Sequence, residues 1–137
     1  MAELVIDAVV ENIDKVFDFI HEQLEETDCP MKAQMQIDLA VDEIFANISN
    51  YAYNPETGYA KIICTVCKDP LRVEISFEDG GKPYNPLEKE DPDVTLPVED
   101  RPIGGLGIFL VKKNMDSVDY EYKDGKNILT IKKEIEK

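Results

Sequence analysis

Apolar residues along the chain recur with two periods, one near 3.6 and one of two, and the switches between them predict the order of elements. Residues 4–10, LVIDAVV, read as a first strand at a sheet edge. Asn12 suits the N-cap of a helix in which Ile13, Val16, Phe17, Ile20 and Leu24 recur at helical spacing. Thr27–Pro30 breaks that helix. A second begins near Pro30 and runs to Tyr51 or Ala52, the longest periodic segment. The period of two returns over 59–68 and 71–78, joined across Asp69–Pro70, and the later run puts Leu71, Val73, Ile75 and Phe77 on one face. A third helix comes after the glycine-rich stretch beyond Pro102 and ends near Met115. Two last strands, DSVDYEYK and NILTIKKEI, alternate about Asp124–Gly125, a good hairpin turn. The order β-α-α-β-β-loop-α-β-β contains no internal repeat. It predicts an α+β two-layer sandwich, with three helices on one face of a mixed, mostly antiparallel sheet of about five strands.

Length and charge narrow this picture. The 137 residues, 43% hydrophobic, suffice for one core, so residues 1–137 are expected to form a single domain. With 15 basic against 29 acidic residues the net charge is −14, which argues against binding nucleic acid or an anionic membrane by charge. A polyanionic ligand then requires local amides, a few placed cations, or a metal that inverts the local field. The N-terminus lacks the basic and apolar regions of a secretory signal, and no stretch is long and apolar enough to span a bilayer. Three cysteines are no disulfide framework, and a cytoplasmic protein fits best. Cys64 and Cys67 form a CxxC, but within a strand a spacing of three sends them to opposite faces, so they read as strand thiols rather than half a metal site.

Three polar groupings carry candidate chemistry. On the second helix Glu43, Asn47 and Asn50 fall opposite the stripe of Ile37, Val41, Ile44 and Ile48. They form either a solvated face or a site; the absence of Lys and Arg among them weakens the first reading without deciding between the two. Asp79 stands where a strand stops, followed by Gly80–Gly81, which is either a tight turn or the wall of a pocket. From Pro83 to Pro102 the chain carries five of its eight prolines among charged residues, the composition of a lid or binding loop. PIGGLGIFLVKKNM then packs Gly104, Gly105 and Gly107 before a helix start, which is either a capping turn or a cradle for an anion at unpaired N–H groups. Lys112 and Lys113 lie too far into that helix to serve as ligands and complement its C-terminal dipole.

Together DEIFANISN, EDGGKPYNP and RPIGGLGIFLVKK resemble the N-box and the two glycine boxes of the GHKL ATP-binding superfamily. The compact size and the DxGxP form followed by YNP are most similar to its anti-sigma regulatory factors, the serine-kinase branch of bacterial partner switching. The resemblance implies a Bergerat-type fold with a long ATP lid, and ATP or ADP with Mg²⁺ as ligands. It implies that Glu43 is the general base and that Asn47 coordinates Mg²⁺, which answers the charge problem. Asp79 is implied to accept from the adenine amino group, with Gly81 letting the base lie against the main chain. Gly104, Gly105, Leu106, Gly107 and Ile108 are implied to hold the phosphates, and Arg101 to meet the γ-phosphate unless it is simply an exposed loop residue. The implied partners are a sigma factor and its small antagonist protein, and the implied assembly is a homodimer through the first strand and its neighbours.

One position departs from the pattern. Many relatives carry a Gly-Thr pair near the adenine on the last strand, whereas Lys126–Asn127 stands here, so an asparagine amide is expected to replace that contact directly or through water. His21 lacks the context of a phosphoacceptor histidine. Three functional readings are open: a serine/threonine kinase acting on an antagonist protein, a nucleotide-dependent binding switch without transfer, and an acidic interaction module whose glycines are only turns.

Overall fold

Alternating side chains commit one face of each strand to the core, and the register between strands decides which polar residues meet at the ends. The computed structural model describes residues 1–27, 29–68, 71–88 and 106–135. Its strands are β1 (Ala2–Asp7), β2 (Tyr59–Cys67), β3 (Arg72–Asp79), β4 (Ser117–Lys123) and β5 (Lys126–Glu134). They pair in the order β1-β2-β3-β5-β4, and all four ladders are antiparallel. The expected mixed sheet narrows to an antiparallel one for a topological reason. β3 and β4 run parallel, but β5 lies between them and pairs with both. The turn between β4 and β5 is closed by Asp124 and Gly125, with φ of 53° and 77°, the left-handed pair that a tight hairpin demands.

The helices are α1 (Ile13–Leu24), α2 (Met31–Asn47) and α3 (Leu106–Asn114). Each turns an apolar stripe to the same face of the sheet: Val16, Ile20 and Leu24 from α1, Ile37, Val41 and Ile44 from α2, and Ile108 and Val111 from α3. They meet Ile62, Val73, Ile75, Phe77 and Ile131 in one buried cluster. Each such side chain contributes about 1.5–3 kcal/mol relative to exposure, enough in sum to hold both layers. Asn12 occupies the N-cap of α1 but makes no capping bond. Its amide instead donates to the Asp7 carbonyl at 2.9 Å, fastening the helix start to the end of β1. His21 and Asp38, 2.7 Å apart, tie α1 to α2.

Beyond Asn47 the second helix widens into a π turn over Ile48–Ala52. Inserted π turns shift the phase of the residues beyond them and are frequent at functional sites. Here Glu43 and Asn47 remain half-buried while Asn50, on the widened turn, is exposed. All three cysteines are free, and burial pushes the Cys64 thiol up to about 11, as suits an inert core thiol. Among the described residues no helix is long and apolar enough to cross a membrane.

Candidate functional site

Register alone places the first cluster. Asp79 ends β3 directly opposite Asn127 on β5, and the two are the buried polar side chains of the described residues, 5% and 6% exposed. A buried carboxylate is costly unless hydrogen-bonded. Asp79 Oδ1 accepts from the Gly81 N–H at 2.9 Å and from the Asn127 amide at 3.0 Å. Burial nevertheless raises the Asp79 carboxyl above its ordinary value, with Glu78 adding to the rise while those two hydrogen bonds oppose it.

The turn after β3 is fastened to the end of α2. The Lys82 N–H donates to the Ala52 carbonyl at 3.0 Å, and the Gly80 N–H donates to the Tyr53 hydroxyl at 2.7 Å. That hydroxyl in turn donates to the Tyr59 carbonyl at 2.6 Å. Gly81 lies so close to α2 that a methyl group there overlaps the Ala52 main-chain carbonyl. Only glycine fits this approach.

The second cluster joins α2 to α3. Glu43 and Asn47, one turn apart on α2, are both half-buried. The Glu43 carboxylate occupies the space that a Cβ on Gly107 requires, so carboxylate and glycine touch. Leu106, Gly107 and Ile108 are the first three residues of α3, whose N–H groups have no partner within the helix. Ile108 is buried, which anchors this end of α3 in the core. Arg101, Gly104 and Gly105 lie outside the described residues, as does most of the expected cover between Pro83 and Pro102.

The two clusters therefore sit along the C-terminal part of one helical segment, one at Glu43 within α2 and the other at Ala52, where the π turn closes. From Glu43 to Ala52 is nine residues, roughly 13 Å along the axis. That is the scale of an extended nucleoside triphosphate, with an acceptor carboxylate at one end and helix-start amides beside a carboxylate at the other. Among the described residues no three His, Cys, Asp or Glu side chains gather as a metal centre. Mg²⁺ held chiefly by phosphates and water requires no such cluster, and the Asn47 amide oxygen is a suitable hard ligand. A separate groove of about 460 Å³ between α1 and α2 is lined by Asp18, His21, Glu22, Glu25 and Gln34, and its acidic walls repel a polyphosphate.

Residues 6–133 match the Histidine kinase-like ATPase domain family. The chain belongs to that family. Its relatives include the serine-protein kinase RsbW of Bacillus cereus (strain AH187), 32% identical over 98 residues, 69% of this chain and 60% of that protein. The match thus spans less than two thirds of that relative. The serine/threonine-protein kinase BtrW of Bordetella bronchiseptica is 29% identical over 101 residues, 73% of this chain and 70% of that protein. In three dimensions the chain is similar to a crystal structure of the RsbU and RsbW domains of a Mycobacterium tuberculosis protein, with a TM-score of 0.65 at 16% identity. That likeness covers 98% of this chain and 33% of the other. The α+β fold is thus the one the family shares.

Against this family background, two residues matter more than the sequence suggests. Tyr53 is apolar-looking in the run NYAY, and no spacing separates it from a core aromatic; its hydroxyl is what bridges β2 and the turn after β3. From sequence, the Asn127 amide is expected to reach the adenine directly or through water. Its amide nitrogen is instead engaged by Asp79 Oδ1 and by the Lys82 carbonyl at 2.8 Å, and its oxygen by the Tyr84 N–H at 3.1 Å and the Tyr120 hydroxyl. An amide offers two donor hydrogens and two acceptor lone pairs, so all four are used.

Proposed function

We propose that this protein, as one domain, is an Mg·ATP-binding anti-sigma regulatory factor that phosphorylates a serine or threonine of a small antagonist protein. The observation that carries the reading is that the Asp79–Gly81 turn packs against Ala52 while Gly107 packs against Glu43, earlier on the same helical segment. Relatives named as the serine-protein kinase RsbW and the serine/threonine-protein kinase BtrW supply the reaction class. Asp79 accepts a hydrogen bond from the adenine amino group, and the base lies against the main chain at Gly81. The N–H groups of Leu106, Gly107 and Ile108 hold phosphate oxygens, with Gly104, Gly105 and Arg101 contributing from the preceding stretch. The Asn47 amide oxygen would hold Mg²⁺, and Mg·ATP would supply the phosphoryl group while the metal offset phosphate charge in a protein of net charge −14. Glu43 takes the proton from the attacking hydroxyl, and its contact with Gly107 sets that carboxylate beside the phosphate-holding amides.

The three free thiols suit a reducing cytoplasm. A homodimer forms through β1 and its neighbours, where Val5 stands 63% exposed; a monomeric mass in light scattering at micromolar concentration contradicts this. Labelled ATP incubated with the protein and a panel of small antagonist proteins tests the enzyme claim. Transfer by wild type that Glu43→Ala reduces by about 10²-fold or more supports it. Binding without transfer to any partner leaves only a nucleotide-dependent switch.

A further inference from the structure

Asp79 and Asn127 are each other's partners, and the division of work between them follows from counting atoms. Both hydrogen bonds to Asp79 fall on Oδ1, from the Gly81 N–H and the Asn127 amide, and Oδ2 receives none from the described residues. Asn127 is fully occupied by Asp79, the Lys82 carbonyl, the Tyr84 N–H and the Tyr120 hydroxyl. The two acceptors lie at the nitrogen and the two donors at the oxygen, so the surrounding network fixes which way the amide points.

We infer that Asn127 is a positioning residue for base recognition: it holds Asp79 by Oδ1, directs Oδ2 to the exocyclic amino group of a purine, and does not itself touch the base. The inference rests on the nucleotide-binding reading and deepens it, by assigning selectivity for an aminopurine to a pair of side chains. A saturated amide has nothing left to offer a ligand, so its influence on the base passes through the carboxylate. Because Asn127 also grips Lys82 and Tyr84 beyond the glycines, it sets the position of the turn against which the base lies.

Other groups facing Asp79 bear on any pH test. Glu78 is adjacent on β3 and pairs with Lys126 at 3.9 Å. The phenols of Tyr53 and Tyr59, both shifted up chiefly by burial, lie near enough to feel the Asp79 charge. Tyr120 reaches Asp79 only through Asn127, and the Lys82 ammonium is turned to the Asn54 carbonyl at 3.1 Å. None of these supplies a further donor to Oδ1.

The test is Asn127→Asp, which preserves shape and replaces the donor with a second carboxylate. Two carboxyls at hydrogen-bond distance share a proton, raising the apparent pKa of the pair. At pH 8 the variant is expected to bind ATP about tenfold more weakly than wild type and to lose most of the preference for ATP over inosine triphosphate. As the pH is lowered the introduced carboxyl takes up a proton, donates to Oδ1, and affinity recovers, whereas wild type gains nothing from acid. A loss that acid does not repair, or a variant with the wild-type profile, overturns the inference while leaving the nucleotide site intact. Carboxyl NMR titration of Asp79 in the ligand-free proteins decides the coupling separately. An upward move of its titration in the variant supports the inference, and an unmoved titration overturns it. Wild type that binds neither nucleotide overturns the underlying reading whatever the titration shows.

Discussion

The two places where the C-terminal part of the second helical segment meets its neighbours, at Ala52 and at Glu43, are built differently. At Ala52 three elements interlock: the π turn, the turn after β3 and the start of β5 share hydrogen bonds through Ala52, Tyr53, Asp79 and Asn127, and a glycine is pressed against main chain. At Glu43 two helices meet, and the close contact is a carboxylate tip resting on Gly107. The first place is determined many times over, because a buried carboxylate without its partners is costly. The second rests on the tip of a side chain, which can turn aside where main chain cannot. On the proposed reading, base recognition and fold stability are therefore coupled, while the chemical step is separable from both.

Adding one methyl group at each place exposes the difference. Gly81→Ala has the largest expected effect, since the new Cβ meets the Ala52 carbonyl and main chain must move. A loss of about 1–3 kcal/mol of stability is expected, measured by denaturant or thermal unfolding, together with weakened nucleotide binding. A variant as stable as wild type removes the distinction between the two places. Gly107→Ala is expected to lower the melting temperature less than Gly81→Ala does, because the nearest atoms the methyl group meets are the tip of the Glu43 side chain rather than main chain, and alanine suits a helix better. ATP affinity changes little, but phosphoryl transfer falls by up to about a hundredfold as the base is misplaced. Equal damage to binding and transfer contradicts that assignment.

The smallest effect is one of pH. Burial raises the folded Asp79 carboxyl above its unfolded value, so the folded state holds the proton more tightly. The contribution of Asp79 to stability is thus greatest below its ordinary value and declines as pH rises from there through the raised one. Nucleotide binding runs the other way, because a protonated carboxyl is a poorer acceptor, and affinity falls as pH drops through the raised value. Melts and titrations across this window are expected to move in opposite directions, and Asp79→Asn to flatten both. Parallel movement assigns the titration to another group.

Much of this arrangement is legible from residue order. The stripe of Ile37, Val41, Ile44 and Ile48 is wholly buried, and Glu43 stands against the glycine of the third helix. Helical periodicity carries that much, because it is local. The widened turn at Ile48 is not legible, since nothing in ISNYA forbids an ordinary helix, and it leaves Asn50 exposed on that turn. The antiparallel sheet depends on β5 inserting between β3 and β4, a long-range pairing that alternation alone does not specify. The same pairing sets Asn127 against Asp79, so the partner of the carboxylate is a property of register across 48 positions of sequence. Arg101, Gly104 and Gly105 rest on motif alone and stay proposals.

The central claim is that α2 links a base-reading carboxylate to a metal-assisted phosphate site. Titration of a fluorescent ATP analogue, with and without Mg²⁺, on wild type, Asn47→Ala and Asp79→Ala tests it directly. The account predicts metal-dependent binding by wild type, weakened about tenfold by Asn47→Ala and nearly abolished by Asp79→Ala. Equal, metal-independent binding by all three proteins contradicts it.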